Sequence, residues 1–454
     1  MAESLPSCSK PRAELTPKKR KKAKIYDGGR ERGHPRPHRP CAYVRNRERA
    51  RTPALQKSKL ETPAVSIANE FWGSTECSLN RHRSALECDA TYPALYWPLP
   101  ADSQNPSGLQ LLRGLVRHSP FVLKNFTHYF QNLYRRELRH TNVVAPYAAV
   151  FYTTHKCNLD CFYCTQKEPD VFSDELGTRE TIKLLGIIRR ETDSILFTGG
   201  EPLLRADIEE LVAAARSELE FRSVLLVTNG TLLHKREGLF DPASGLHGLI
   251  VSLDSLTPIE GEPLSKPGNV PRVLENLQLA RQRMPKPGDI TISTVIEEWN
   301  IAEIERILDY CGEQGFVFAT QTALNEKMPN LRLKQNPRYQ ALVAKIIERR
   351  RAKAQAINGT PRLLRTVLEF GDFQCFPTMF PRVYPNGDVF YPCEPLKKIG
   401  GNLLREGSFR KVFARGRKLY GEIPECKAIC HLFGNVVSSY YVKDFWGLAG
   451  DTIR

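Results

Sequence analysis

Three cysteines fall within eight residues in the stretch His155-Lys156-Cys157-Asn158-Leu159-Asp160-Cys161-Phe162-Tyr163-Cys164. Three thiolates on one loop can wrap a single soft metal centre. On a four-iron cubane, three protein ligands leave one iron open. A small molecule with adjacent amine and carboxylate groups can chelate that iron. The competing reading is a zinc site made of the three cysteines and a water or His155, although zinc more often uses Cys-x2-Cys pairs in two separated halves. A second set, Cys375, Cys393, Cys426 and Cys430, is spaced x17, x32 and x3. Four such residues can close a tetrathiolate shell, which suits zinc and a fully ligated [4Fe–4S] cluster alike. Of the 12 cysteines, Cys8, Cys41, Cys77, Cys88 and Cys311 are scattered.

The elements that must hold the first set are legible from hydrophobic periodicity. Short apolar runs at Tyr147–Thr153, Ser194–Thr198, Ser223–Thr228, Gly248–Leu253, Ile290–Val295 and Phe316–Gln321 alternate with helical patterns near 177–191, 206–218, 270–283 and 302–314. Such alternation predicts an α/β fold with a parallel sheet and right-handed crossovers. Six units are too few for a closed eight-unit barrel. The expected architecture is therefore a partial (β/α)6 TIM-type barrel over 147–335, with its site at the C-terminal ends of the strands. The first cysteine run follows the first strand directly. Ile304, Ile307, Leu308 and Cys311 share one helix face, which makes Cys311 a core residue.

Around this core the chain divides further. Residues 1–105 are rich in Arg, Lys, Pro and Ser without sustained periodicity and read as a disordered basic extension. Residues 106–146 read as an amphipathic helical lead-in. Its face of Val122, Phe126, Tyr129, Phe130 and Leu133, followed by Arg135-Arg136, suits packing on its own domain, with peripheral membrane contact as the alternative. Residues 336–369 read as a connecting helix. Val383–Tyr391 is a hairpin signal with Asn386-Gly387 at the turn. Cysteines flank it, which defines a small Cys-rich module at 370–435 and a tail at 436–454.

Several motifs in order make the resemblance to a known family specific. Cys157-x3-Cys161-x-Tyr163-Cys164 resembles the signature of the radical S-adenosylmethionine (SAM) superfamily. Thr198-Gly199-Gly200-Glu201-Pro202 follows the second strand, where that family carries a Gly-Gly-Glu-Pro motif. Thr228-Asn229-Gly230, Ser252-Leu253-Asp254 and Thr294-Val295 to Asn300 follow later strands in the family's order. The resemblance covers about 147–325. It implies a [4Fe–4S] cluster with an open iron on Cys157, Cys161 and Cys164, and SAM as the chelating molecule. By the same resemblance Glu201 receives the methionine amino group, with helix entry as its alternative role. Gly199 and Gly200, lacking Cβ atoms, admit close approach of a ligand. Ser252 and Asp254 bond ribose hydroxyls or else satisfy a strand end. Tyr163 packs on adenine or in the core. Asn300 and Gln321 are further candidates for SAM contact.

The implied reaction is reductive cleavage of SAM to methionine and a 5′-deoxyadenosyl radical, which takes hydrogen from a peptide or small-molecule substrate. The protein positions that substrate and excludes water and oxygen. A low-potential donor such as ferredoxin or flavodoxin supplies the electron. Tyr384–Cys393 resembles the hairpin of the auxiliary modules of the SPASM and twitch types appended to such enzymes. With the Ile399–Leu403 stretch and the closing Cys-x3-Cys pair, it favours one auxiliary [4Fe–4S] cluster on Cys375, Cys393, Cys426 and Cys430. The molybdopterin-pathway GTP cyclase is a named relative from which this chain departs, in its ending and in the spacing of its second cysteine set.

Charge excludes less than it first suggests. Residues 1–60 hold 18 Lys and Arg against 5 Asp and Glu, so that segment carries +13 of the +16 and leaves +3 for everything else. No nucleic-acid partner is expected for the folded body, and a non-catalytic zinc or nucleic-acid module leaves the Gly-Gly-Glu-Pro edge unexplained. There is no long uncharged apolar stretch and no apolar segment behind the first basic residues, so a cytoplasmic protein is expected.

Overall fold

The computed structural model describes residues 127–443, apart from 128, 140, 142, 162, 165–173, 259–268, 285, 326–327 and 423–429. The expected basic extension at 1–105, the lead-in residues Val122 and Phe126, Cys8, Cys41, Cys77, Cys88, Cys426 and residues 444–454 of the expected tail lie outside the described residues.

A helix at 129–137 (α1) leads into β1 (Ala149–Tyr152), followed by α2 (Thr178–Arg189), β2 (Ser194–Thr198), α3 (Ile208–Ser217), β3 (Ser223–Thr228) and β4 (Gly248–Ser252). Then come α4 (Asn269–Arg283), β5 (Ile290–Ile296), α5 (Ile301–Gln314) and β6 (Val317–Thr322). Between β3 and β4, Gly238, Pro242 and Gly245 punctuate the chain, and only short 3-10 turns form. A two-stranded pair, β7 (Leu324–Asn325) and β8 (Met328–Pro329), precedes α6 (Pro337–Arg351) and α7 (Pro361–Leu368). The expected connecting segment is thus a pair of helices. Proline at the first position and an Asn336 or Thr360 cap start each of them.

Strands β1 to β6 are all parallel and neighbour one another in chain order. Their β-branched content suits a pleated, buried surface. Alternation sorts their side chains. Phe151, Phe197, Leu226, Val251, Ile292 and Phe318 belong to the main core with the helices. The opposite face carries the part-exposed residues Val150, Leu196, Val227, Ser252, Ser293, Val295 and Gln321, which line the inner side of the sheet.

The hairpin region extends this same sheet. β9 (Arg382–Val383) pairs in parallel with β1, with Val150 opposite Arg382 and Phe151 opposite Val383. β10 (Asp388–Phe390) and β11 (Ile399–Asn402) continue antiparallel, and the turn at Asn386-Gly387 places Gly387 at φ +85. The complete order is β11-β10-β9-β1-β2-β3-β4-β5-β6, a nine-stranded sheet left open between β6 and β11. Tyr147 and Val150 donate their backbone N–H groups to Met379 and Pro381 at 2.8 and 2.9 Å, so the far edge of β1 is paired. Helices α8 (Leu403–Glu406), α9 (Phe409–Tyr420) and α10 (Phe433–Lys443) complete the described chain. In α1, Tyr129 packs on the core while Phe130 is 58% exposed, so the aromatic face is divided. Cys311 is fully buried among core residues of α5. No helix among the described residues is long and apolar enough to cross a membrane.

Candidate active site

The cysteine loop leaves the C-terminal end of β1, and the end of β2 presses directly against its base. A Cβ on Gly199 would lie 2.5 Å from the Thr154 carbonyl oxygen, and one on Gly200 would lie 2.2 Å from that of Lys156. Gly199 also sits at φ +140, where other residues are strained. The close approach that these glycines permit is thus to the loop's own backbone. Gly200 N–H donates to Thr154 O at 2.8 Å and Glu201 N–H to Lys156 O at 2.7 Å. Glu175 accepts from the Thr154 hydroxyl and the His155 N–H at 2.7 and 2.8 Å. Arg205 donates to Thr153 O and Leu176 O at 2.8 and 3.0 Å.

Glu201 is fully buried, with both oxygens engaged inside the protein. Oε1 accepts from the Thr228 hydroxyl at 2.6 Å and Leu203 N–H at 3.0 Å, and Oε2 accepts from Asn229 N–H at 2.8 Å. Burial raises its carboxyl above the ordinary range, and these hydrogen bonds oppose that shift. The structure places it as a strut between β2 and the β3 loop, and it is not among the residues lining the cavity described next. Asn229 then bonds Asn158 at 2.9 Å, and Asn158 bonds Thr231 at 2.9 Å, which ties the cysteine loop to the same β3 loop.

Cys157, Cys161, Tyr163, Cys164, Gly199, Gly200, Ser252 and Asp254 all line one cavity of about 250 Å³ across the ends of β1 to β4. That size lies just below the usual range of small-molecule sites. Asp254 is the only acid on its wall among the described residues. Its Oδ2 accepts from the Tyr163 hydroxyl at 2.5 Å and its Oδ1 from Val295 N–H at 2.6 Å. Burial lifts the Asp254 carboxyl to about 6 against these two bonds. Tyr163 is therefore anchored to the end of β4. Asn300 is buried at the start of α5, where it donates to Val295 O at 2.9 Å and to Asp254 O at 3.4 Å. Trp299, which no sequence pattern singled out, forms a further wall, and its buried Nε1 has no partner among the described residues.

No three His, Cys, Asp or Glu side chains among the described residues already stand at ligand spacing around one point. The donor set nevertheless fits a soft metal centre. Three sulfurs open on one cavity from a single loop, with no basic side chain among the described residues of its wall.

The second cysteine set is built differently. Cys393 and Cys430 are buried and Cys375 is mostly so. Burial pushes the Cys375 thiol well up, with Cys430 and Cys393 nearby adding to it. Asn435 donates to the Cys430 sulfur at 3.0 Å, and Ser438 accepts from the N–H of Phe376, next to Cys375, at 2.9 Å. Both partners lie on α10. The expected SAM candidate Gln321 serves this region instead, accepting from Phe433 N–H at 3.1 Å where α10 begins.

The family model described as Radical SAM superfamily matches residues 151–311. A protein named "Probable GTP 3′,8-cyclase" from Methanocaldococcus jannaschii is 34% identical over 170 residues, covering 36% of this chain and 54% of that one. A GTP 3′,8-cyclase from Mycobacterium marinum is 33% identical over 182 residues, covering 39% and 49%. The chain thus spans about half the length of the curated relatives it matches. Among solved structures, Streptococcus suis SuiB bound to S-adenosylmethionine matches with a TM-score of 0.44 and 18% identity over 56% of this chain and 62% of that one. With its cysteine loop after β1 and its glycine pair after β2, the chain carries a radical SAM superfamily domain at residues 151–311.

Proposed function

We propose that this protein is an enzyme that binds SAM over the ends of β1 to β4 and cleaves it reductively to act on a peptide or small-molecule substrate. One observation carries the reading: the three loop cysteines share a single cavity with Gly199, Gly200, Ser252 and Asp254. A [4Fe–4S] cluster bound there supplies the electron that splits SAM into methionine and a 5′-deoxyadenosyl radical. Cys157, Cys161 and Cys164 hold three of its irons and leave the fourth for the amino acid head group of SAM. The Ser252 hydroxyl is available to a ribose oxygen. Asp254 fixes Tyr163 through the 2.5 Å hydrogen bond, and the Trp299 ring offers a flat wall to adenine.

Cys375, Cys393, Cys426 and Cys430 hold an auxiliary [4Fe–4S] cluster in this reading. A low-potential donor such as ferredoxin or flavodoxin serves it, in a cytoplasmic compartment where thiols stay reduced. The cyclase names of the relatives support a small molecule over a peptide as the target. Anaerobic reconstitution with iron and sulfide, followed by reduction and SAM addition, tests the reading. Wild type is expected to release 5′-deoxyadenosine and Cys157→Ala to release none. Zinc without iron and sulfide, and no 5′-deoxyadenosine from wild type, would overturn it.

A further inference from the structure

One side chain of the cysteine loop closes a ring of hydrogen bonds with the loop after β3. Asn158 Nδ2 donates to Thr231 Oγ1 at 2.9 Å, and Thr231 Oγ1 donates to Asn229 Oδ1 at 2.7 Å. Asn229 Nδ2 then donates back to Asn158 Oδ1 at 2.9 Å. The donors all point the same way round, so each bond polarises the next. Thr231 N–H adds a further bond to Asn229 Oδ1 at 3.1 Å.

The two sides of this ring differ in rigidity. On the β3 side, Asn229 N–H is held by the buried Glu201 carboxylate, and the Gly230 carbonyl accepts from the buried Asn276 of α4 at 2.7 Å. Gly230 sits at φ +76, and a Cβ there would lie 2.8 Å from Val251 Cγ1, so this loop lies close against β4. On the other side, Lys156, Cys157 and Asn158 are all exposed. The ring thus fastens the residue beside an exposed ligand cysteine to a fixed wall. Asn229 and Thr231 line the cavity of the three cysteines, and Asn158 does not. At the other end of the cysteine run, Tyr163 bonds Asp254. The loop is therefore fastened one residue after Cys157 and one residue before Cys164, to the ends of β3 and β4.

We infer that Asn158 is a positioning residue for SAM binding, which fixes where Cys157 stands relative to the cavity wall that receives SAM. The inference rests on the SAM reading given above. Assembly of the metal centre needs the three thiolates, and these remain without Asn158. Capture of SAM needs more, because the metal and the wall must meet one molecule at the same time.

The test is calorimetric SAM binding to anaerobically reconstituted full-length protein, with iron and sulfide counted on the same samples. Asn158→Ala is expected to keep the wild-type iron and sulfide and to bind SAM about tenfold more weakly. Thr231→Val opens the ring from the rigid side and is expected to show a similar loss. Thr231→Ser keeps the hydroxyl and is expected to bind within about twofold of wild type. The double variant Asn158→Ala, Thr231→Val is expected to bind no more weakly than either single one, because the ring is already open. The SAM-induced change in the electron paramagnetic resonance signal of the reduced centre is expected to need about tenfold more SAM in Asn158→Ala. A general loss of packing neither spares the iron content nor is restored by serine. Wild-type affinity in Asn158→Ala, losses that multiply in the double variant, or loss of iron from Asn158→Ala would overturn the inference alone. Wild-type protein that holds no iron and sulfide and binds no SAM overturns the SAM reading and this inference together.

Discussion

The two cysteine sets differ in how far they open to solvent. The loop after β1 leaves Cys157 exposed and Cys161 and Cys164 half-exposed, and its base is gripped by hydrogen bonds to Glu175, Arg205 and the Gly199–Glu201 edge. Of the C-terminal set, Cys393 and Cys430 are buried and Cys375 is mostly so, and Asn435 donates to the Cys430 sulfur. A centre that must exchange a ligand needs open sulfurs on a rigid base. A centre that exchanges none can be enclosed, and its charge is then balanced by the protein instead of by solvent.

The largest test of that contrast removes one ligand from each set. Cys161→Ala is expected to lower 5′-deoxyadenosine release to background, a loss on the order of 10³-fold or more, because the three sulfurs act as a unit. Cys430→Ala is expected to leave cleavage within about tenfold of wild type while removing about half the iron. Comparable losses of cleavage in both variants would erase the distinction.

The next effect concerns Asp254. Its folded value of about 6 lies above the unfolded value, so the folded state binds the proton more tightly. This group's contribution to stability is present in full below about pH 4 and falls by about 3 kcal/mol as the pH rises through about 6. Asp254→Asn is expected to flatten that decline in thermal melts of metal-free protein, with no equivalent flattening from changes in the second set.

A smaller effect is expected from Gly199→Ala, which strains φ and meets the Thr154 oxygen at 2.5 Å. The cost is about 2 kcal/mol, read as a lower melting temperature and weaker SAM binding. The same change at Gly434 in α10, where nothing lies within 4 Å, should be neutral or stabilising. The smallest effect is assigned to Trp299→Leu. It is expected to weaken SAM binding about fivefold, roughly 1 kcal/mol, by calorimetry, without changing iron content.

The parallel sheet was legible because strands β1 to β6 are short apolar runs with turn residues between them, and helices such as α5 carry an unbroken apolar stripe. The cysteine spacing marked the loop as a candidate site, and the structure opens its three sulfurs on one cavity. What the sequence did not reveal depends on contacts between distant segments. No periodicity marks the parallel pairing of β9 with β1, more than two hundred residues away, or the pairing of Arg382 with Glu394. Gly199, Gly200 and Glu201 were recognisable as a motif, but their partners in the structure are the Thr154 and Lys156 backbone and the β3 loop. Arg205, Asn158 and Trp299 lie in loops, where neither period two nor period 3.6 can point to them.

The placement of β9 has a practical consequence for anyone trimming this protein. Cutting the chain after α7 would strip β1 of one of its two neighbours and leave the N–H groups of Tyr147 and Val150 without their acceptors. A bare, apolar, flat strand of that kind recruits other chains. A fragment that ends after α7 is therefore expected to associate into aggregates, detectable by light scattering, even though every residue of the cysteine loop is retained.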